Sequence, residues 1–391
     1  MTSSRRDHRR AGSKALRRAA YLLAAVPLLA LSAAGQAGAA VPVSHAAPRS
    51  SAARFSVVAA SFLSPRSGYA LGGAARCQFR QCAGQLVATA NGGQSWRQVT
   101  TPPVVVNKSV VSVLFATKRD GWLYGPGLWS THDGGARWRK LSVGGAVLDM
   151  AAGAGEVYAE VSAPSQLGPE KLYRSPVGSD AWARVGRLTS GPGSNDGLGD
   201  AAGLAVSGRS VWFGSNSTLW TNSGGGRWHR ITFSCLQRHY SMVDIAAASA
   251  EDVDFLCIAP PIGEGGQANA VLKSTDGGAT VHPAGGANGG GCCWEIAMPP
   301  GRARVISETA NGPNTMARTA DAGKTWTWVK WPGEGSFSSL AYVSPAAAWV
   351  VAEPGPPQDG NLLRTTNDGL SWHRVGVRVT VAGRTGGWPD R

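Results

Sequence analysis

The chain has 391 residues, of which 53 are glycine and 15 are tryptophan, and only 16% are charged. This length predicts two or three ordinary domains, although a single repeat fold can exceed that prior. Its 38 basic and 24 acidic residues give a formal net charge of +14, which favours acidic or polyanionic partners. The basic residues are scattered singly, so the charge argues against a nucleic-acid-binding protein.

Residues 1–40 have the pattern of a secretory signal peptide. Seven arginines and lysines precede an apolar stretch from Ala19 to Ala34, and the small residues Gly38, Ala39 and Ala40 follow it. The alternative is a membrane anchor, but the apolar run is shorter than the roughly 20 residues that a spanning helix needs. We therefore predict cleavage near Ala40, a secreted, extracellular protein and no stable membrane insertion.

Residues 41–53 form a predicted polar linker, and beyond it one eight-residue motif recurs seven times. From Thr131 to Trp138 the motif is T-H-D-G-G-A-R-W, and its copies end at positions 96, 138, 182, 228, 281, 326 and 372. The copies that end at 182, 228 and 281 are degenerate. Spacings of 42 to 53 residues match one four-stranded blade per repeat.

The motif has the chemistry of a tight hairpin turn. An Asp or Asn side chain accepts hydrogen bonds from backbone N–H groups of its own turn, and the glycine two places later supplies a positive φ. We expect Trp138, Trp326 and Trp372, at the end of three copies, to be buried against the sheet. The structural acceptors predicted in this way are Asn91, Asp133, Asp276, Asp321 and Asn367.

The remainder of each repeat predicts strands. A first strand such as Ser112 to Phe115 is followed by a second strand that opens on an aromatic or apolar residue, such as Trp122 or Phe255. No segment after residue 40 has a helical period. The prediction is an all-β protein, a monomeric seven-bladed β-propeller of four-stranded antiparallel blades over residues 54–378, with a C-terminal tail at 379–391.

The motif resembles the Asp-box, or BNR repeat, of sialidases, sortilin-type receptors, xyloglucanases and photosystem II assembly factors. The sequence from Asp120-Gly121-Trp122 through Trp138 is most similar to the photosystem II stability and assembly factor type of propeller. In these families the box closes the hairpin between the third and fourth strands of a blade. The resemblance implies the fold and a non-catalytic scaffold role, and it covers no binding residue of those families.

The long loops and the cysteines map to the face opposite the boxes, which we call the loop face. Six cysteines in an exported chain predict disulfides, and no Cys-x-x-Cys or suitably spaced histidine supports the alternative of a metal site. Cys77 and Cys82 form the predicted local bridge, while Cys235 and Cys257 are expected to reach Cys292 and Cys293. The predicted polar contacts of a binding surface on this face are Arg238, His239 and Tyr240.

One set of acidic residues carries a possible chemistry. Asp149, Asp244 and Glu295 occupy the same position on the predicted innermost strands, where other repeats have Ser56, Ser112, Gly203 and Ser339. Three converging carboxylates would serve glycoside hydrolysis or hold a cation. The alternative is a polar, hydrated wall of the central channel, and it is the interpretation we favour.

Two functions therefore remain open. The first is a non-enzymatic binding or assembly module for an extracellular protein or glycan, with no cofactor and no metal. The second is a glycoside hydrolase of sialidase-like type, in which Asp149, Asp244 and Glu295 would be the catalytic residues. The chain lacks the Arg-Ile-Pro signature and the arginine set that the sialidase resemblance would require.

Overall fold

The computed structural model describes residues 55–74, 82–106, 111–162, 169–189, 202–215, 218–232, 235, 241–258, 269–285, 295–301, 306–307, 315–330, 337–352 and 361–379. All of them belong to one compact unit, Ser51–Arg391. The predicted signal peptide, linker and most of the C-terminal tail lie outside these residues. Within the described ranges no helix is long and apolar enough to cross a membrane.

The protein is an all-β propeller, and its described residues form six four-stranded antiparallel sheets, each of which is one blade. The first blade is formed by β1 (Phe55–Phe62), β2 (Gly68–Ala74), β4 (Gln85–Thr89) and β5 (Arg97–Val99). The second is formed by β7 (Ser112–Phe115), β8 (Gly121–Tyr124), β9 (Leu128–Thr131) and β10 (Arg139–Leu141). A small extra sheet joins β3 (Cys82–Ala83) to β6 (Val105–Val106).

The next three blades follow the same order. The third contains β11 (Val147–Gly153), β12 (Glu156–Val161), β13 (Lys171–Pro176) and β14 (Ala183–Thr189). The fourth contains β15 (Ala202–Ser207), β16 (Ser210–Ser215), β17 (Thr218–Asn222) and β18 (His229–Thr232), with a 3₁₀ turn at Ser223–Gly225. The fifth contains β19 (Ser241–Ala247), β20 (Val253–Ile258), β21 (Asn269–Ser274) and β22 (His282–Pro283).

The expected seven-blade count differs from the structure at the sixth repeat. Its described residues form two two-stranded sheets, β23 (Glu295–Ile296) with β24 (Ile306–Ser307), and β25 (Thr315–Arg318) with β26 (Thr327–Lys330). The last blade is again four-stranded, with β27 (Phe337–Tyr342), β28 (Ala348–Ala352), β29 (Leu362–Thr365) and β30 (His373–Val375). Six four-stranded blades are therefore present, and β23 contacts β19 on one side and β27 on the other.

The core lies between neighbouring blades. The first strand alternates, as in β1, where every second residue is buried, whereas β8, β20 and β28 are buried on both faces. Aromatic rings stack across the blade interfaces, as Tyr69 does on Phe115 and Phe62 does on Trp349. First strands also contact first strands of the next blade, so they form the inner ring of the propeller.

The motif turns, which we call box turns, share one hydrogen-bond pattern. In the second blade the Asp133 carboxylate accepts the backbone N–H of Arg137 at 2.9 Å, and the Thr131 hydroxyl accepts that of Gly135 at 2.9 Å. This confirms that the predicted acceptors bond within their own hairpins. In the other boxes a side-chain oxygen accepts the backbone N–H four residues later in the same way. The acceptor and donor pairs are Asn91 and Ser95, Asp276 and Thr280, Asp321 and Thr325, and Asn367 and Ser371.

Burial of the box tryptophans was predicted correctly for only one of three. Trp372 is 4% exposed, but Trp138 and Trp326 are only partly buried. Trp138 stands edge-on to Phe115 and donates its Nε1–H to the carbonyl of Thr100. Its ring therefore lies along the blade margin, where one side stays open to solvent.

The box turns also connect each blade to the one before it. The second glycine of the turn packs on the fourth strand of the preceding blade, and a Cβ at Gly135 would lie 2.4 Å from the Val99 side chain. The residue before that glycine presents its carbonyl to the same neighbour. Such bonds run from Trp212 Nε1 to Gly277 at 2.8 Å, from Arg318 Nε to Asp368 at 2.7 Å, and from Arg364 Nη1 to Gly92 at 3.3 Å.

The ring closes between the last blade and the first. Asn361 accepts the N–H of Val57 at 2.9 Å and donates to the Val57 carbonyl, across 304 positions of sequence. Trp96 forms a parallel bridge with Val379, the first residue of the predicted C-terminal tail. The closure therefore combines inner-ring, box-turn and tail contacts.

Candidate functional site

The three predicted carboxylates lie on the inner ring. Asp149 is on β11, Asp244 on β19 and Glu295 on β23. Asp149 and Asp244 each follow a β-bulge, at Val147/Asp149 and Met242/Asp244. An extra residue in a strand re-aims the side chain that follows it, so the bulges set the direction of these carboxylates.

The bulges also correct the alignment of the first repeat. In β1 the shift falls between Val57 and Ala59, so Ala59 occupies the position of Asp149, and the predicted Ser56 does not. Ser339 of β27 follows the same shift, as expected. The misassignment is three residues long and does not come from the bulge, which β11, β19 and β27 share. The run of small and apolar residues in β1 fits more than one register.

Two of the carboxylates bond across a blade boundary. Asp244 accepts the N–H of Ile245 on its own strand at 2.8 Å and that of Ile296 on β23 at 2.8 Å. Glu295 accepts the N–H of Leu340 on β27 at 2.9 Å. Each of these two carboxylates therefore reaches the next inner strand. There it binds the backbone N–H of the residue just after the one that holds the same position, Ile296 after Glu295 and Leu340 after Ser339. Asp149 accepts the N–H of the adjacent Met150 at 2.7 Å.

The same carboxylates have raised pKa values. Burial raises the pKa of Asp149 to about 6 and that of Asp244 to about 7. Burial, followed by the nearby charge of Asp244, raises the pKa of Glu295 to about 8. Asp149 contributes to the shifts of both others, so the three side chains interact electrostatically. The structure thus brings the predicted set into one electrostatic cluster.

Tyr124 is a member of this cluster that the sequence did not indicate. Its hydroxyl bonds the side chain of Ser112 and the backbone of Met150, and burial with the nearby charge of Asp149 raises its pKa above the ordinary range. Ser112 was predicted to share the inner position. The signal that would have found Tyr124 is the pairing of these two residues, because Ser112 and Tyr124 are cross-strand partners.

Asp254 is a buried acidic residue that the sequence analysis did not identify as a candidate. It occupies the second-strand position that Tyr69, Trp122 and Trp349 hold in other blades, where Phe255 was expected. It is 5% exposed, and its Oδ1 has no hydrogen-bond partner among the described residues. Burial raises its pKa to about 7, and the charge of its cross-strand partner Lys273 opposes that shift.

The cysteine prediction is partly wrong. Cys235 and Cys257 are bonded to each other, with a Cα–Cα distance of 5.8 Å, and do not reach Cys292 and Cys293. Both sulfurs lie in the apolar core between the fourth and fifth blades, so the bridge connects these two blades. Cys82 is also disulfide-bonded. Its expected partner Cys77, like Cys292 and Cys293, lies outside the described residues.

The predicted binding residues Arg238, His239 and Tyr240 also lie outside the described residues. Within the described part of the chain, no group of three or more His, Cys, Asp or Glu side chains is arranged to hold a metal ion. The site that the structure shows is therefore the channel cluster of Asp149, Asp244, Glu295 and Tyr124. Chemically, it can hold shared protons and accept backbone hydrogen bonds.

Comparison with solved structures agrees with the propeller fold. YCF48 from Cyanidioschyzon merolae, a photosystem II assembly factor, matches with a TM-score of 0.51 and 17% identity over 81% of this chain and 96% of that one. A puromycin-hydrolyzing peptidase of Mycobacterium tuberculosis matches with a TM-score of 0.54 and 10% identity, over 85% of this chain and 54% of that one.

A glycoside hydrolase is also among the structural matches. The α-L-arabinofuranosidase Arb93A of Fusarium graminearum has a TM-score of 0.44 and 12% identity over 83% of this chain and 97% of that one. No protein-family model matches the sequence, and no curated protein does either. At these identities the comparisons establish a β-propeller and leave the activity to be argued from the site.

Proposed function

We propose that the chain is an exported, non-enzymatic propeller that acts as a binding or assembly scaffold for an extracellular protein or glycan. The observation that carries this proposal is the use of Asp244 and Glu295 as cross-blade acceptors. Each binds a backbone N–H of the next inner strand, Ile296 and Leu340 respectively. These carboxylates support the assembly of the ring.

The ionisation of the cluster defines the hydrolase alternative that an activity assay has to exclude. A glycosidase needs one carboxylic acid that donates a proton and one carboxylate that attacks or activates water. Such pairs have environments that push their two pKa values apart. In this channel burial raises the pKa of all three groups together, to about 6, 7 and 8.

A screen with fluorogenic glycosides tests the non-enzymatic proposal. We expect no turnover by the purified protein. The decisive variants are Glu295→Gln, which keeps a carbonyl acceptor for Leu340, and Asp254→Asn, a matched buried carboxyl on β20. Hydrolysis of any glycoside that disappears in Glu295→Gln, but persists in Asp254→Asn with both variants folded by circular dichroism, would establish the hydrolase alternative.

We place the scaffold's recognition surface on the loop face, around Arg238, His239 and Tyr240. The sequence concentrates its insertions and cysteines there, and function on rigid scaffolds concentrates on such loops. A glycan array probes this surface directly. Binding should be lost when residues 238–240 are replaced by Gly-Ser-Gly and kept when Lys118 on the box side is changed to Gln. Binding that survives the loop change would place recognition elsewhere.

We also propose that the repeats are true Asp-boxes and that β23–β26 form a seventh blade. The proposal is supported by the position of β23 between β19 and β27 and by the contact of β24 with β25. An experimental structure tests it, with β24 hydrogen-bonded to β25 as the expected result. Export is tested by the N-terminus of the mature protein, which should begin close to residue 41.

A further inference from the structure

Charged residues are sorted by radius in the described strands. The first and second strands of the blades contain six acidic residues and no lysine or arginine. The third and fourth strands contain thirteen lysines and arginines and no acidic residue. The inner acids are Asp149, Glu156, Glu160, Asp244, Asp254 and Glu295. The outer bases are Arg97, Arg139, Lys140, Lys171, Arg174, Arg184, Arg187, Arg230, Lys273, Arg318, Lys330, Arg364 and Arg374.

Six of these bases form an exposed arc along the rim of four consecutive blades. They lie on the fourth strands β5, β10, β14 and β18, which are the outer edges of the first to fourth blades. Arg139 alone among them makes a salt bridge within the described residues, to Asp180 at 3.4 Å, and its side chain is still 75% exposed. The members of this basic rim are Arg97, Arg139, Lys140, Arg184, Arg187 and Arg230.

Protection of strand edges explains only part of this pattern. Charges on an edge strand prevent edge-to-edge pairing with another molecule. Acidic side chains on these strands would also prevent such pairing, and the chain contains 24 acidic residues. Fourth strands whose only charged residues are basic across four blades therefore point to a second role, in which the positive charge itself is used.

We propose that the basic rim binds linear inorganic polyphosphate. Single ion pairs at such exposed positions contribute little. A chain with closely spaced phosphates adds the release of its condensed counterions, which grows with the number of bases that it contacts. Five of the six rim bases are arginine, whose planar guanidinium binds phosphate oxygens in pairs.

The shape of the rim favours a flexible chain over a planar surface. The fourth strands stand on the outside of a ring, so successive basic side chains follow a convex arc. A flat anionic surface would meet such an arc at one or two blades, whereas a linear polymer can follow all four. This inference concerns the rim and does not depend on the scaffold role proposed for the loop face.

Binding of linear inorganic polyphosphate to the full chain, measured by fluorescence anisotropy, tests the proposal. The rim variant is Lys140→Gln with Arg184→Gln and Arg187→Gln. The control variant is Lys118→Gln with Arg66→Gln and Arg209→Gln, which removes the same charge from exposed residues in turns between first and second strands. Both variants should fold, since none of these side chains is buried.

We expect the rim variant to bind at least about 10-fold more weakly at low salt, and the slope of log affinity against log salt to fall by about 3. The control variant should stay within about 3-fold of the unmodified protein. Equal losses in both variants would mean that net charge alone is responsible and would overturn the proposal. It is also overturned by absence of binding, by equal competition from orthophosphate, or by tighter binding of polyglutamate than of polyphosphate.

Discussion

The acidic side chains of the box turns and those of the channel have pKa values shifted in opposite directions. Hydrogen bonds from Thr280 hold the pKa of Asp276 down at about 2, and those from Thr325 do the same for Asp321. Burial raises the pKa of Asp244 to about 7 and that of Glu295 to about 8. The same chemical group thus has a lowered pKa as a turn acceptor and a raised pKa in the channel.

The difference shows that a backbone hydrogen bond does not by itself determine ionisation. Glu295 accepts the Leu340 N–H, much as Asp321 accepts the Thr325 N–H. Asp321 is in a turn near solvent, where donors stabilise the charge and little is lost on desolvation. In the channel, the cost of desolvation exceeds the gain from one or two donors. The position of a carboxyl group in the ring therefore determines whether its pKa is lowered or raised.

The largest expected effect is the loss of stability when a buried box tryptophan is removed. Trp372→Ala should destabilise the protein by about 3–5 kcal/mol, because it empties a buried aromatic site in the core of the last blade. Trp138→Ala, at a partly exposed box tryptophan, is the matched control and should cost clearly less. Urea unfolding measures both. Equal losses would show that burial does not distinguish the two boxes.

An intermediate effect comes from the channel. The folded pKa of Glu295 lies above its ordinary value of 4.5, so the stability of the unmodified protein should fall as pH rises from about 4.5 to 8. Glu295→Gln removes the share of this slope that Glu295 contributes, while Asp149, Asp244 and Asp254 keep theirs. Since each unit of the shift is worth about 1.4 kcal/mol, the variant should be more stable than the unmodified protein at pH 8.5 by at least about 2 kcal/mol, with little difference at pH 4. Glu251→Gln, at an exposed position, is the control. Parallel pH profiles for Glu295→Gln and the unmodified protein would contradict the assignment.

The smallest expected effect has the opposite sign with pH. The folded pKa of Asp321 is depressed to about 2, so its contribution to stability is present above about pH 4 and is lost as pH falls towards 2. Asp321→Asn should be slightly less stable than the unmodified protein at pH 7 and should lose less stability in acid. Two natural boxes support this, since Asn91 and Asn367 accept the same backbone N–H.

Thermal unfolding between pH 2 and 7 measures the change at Asp321. Asp321→Ala, which removes the acceptor altogether, should be less stable across the whole range. An Asn variant as acid-labile as the unmodified protein would show that the box carboxylate does not set the acid sensitivity of its turn.

Local turn chemistry could be predicted because it is complete within eight residues. The acceptor, the glycine and the first hydrogen bond of the box from Thr131 to Trp138 are all present in the motif itself. The position of Asp149 and Asp244 on inner strands followed from the repeat period. The register that puts Ala59 in place of Ser56 could not be predicted, since the run of small and apolar residues in β1 fits more than one alignment.

The sequence by itself determined the β-propeller class, the repeat unit, the box hairpins and the candidate channel carboxylates. Ring closure decided the rest, because its contacts join residues of different blades, up to 304 positions apart for Val57 and Asn361. Packing of neighbouring blades gives Asp244 and Glu295 their backbone donors on the next inner strand, and it brings Cys235 to Cys257. Short-range hydrogen bonding is encoded locally, whereas burial and electrostatic coupling arise when the blades pack.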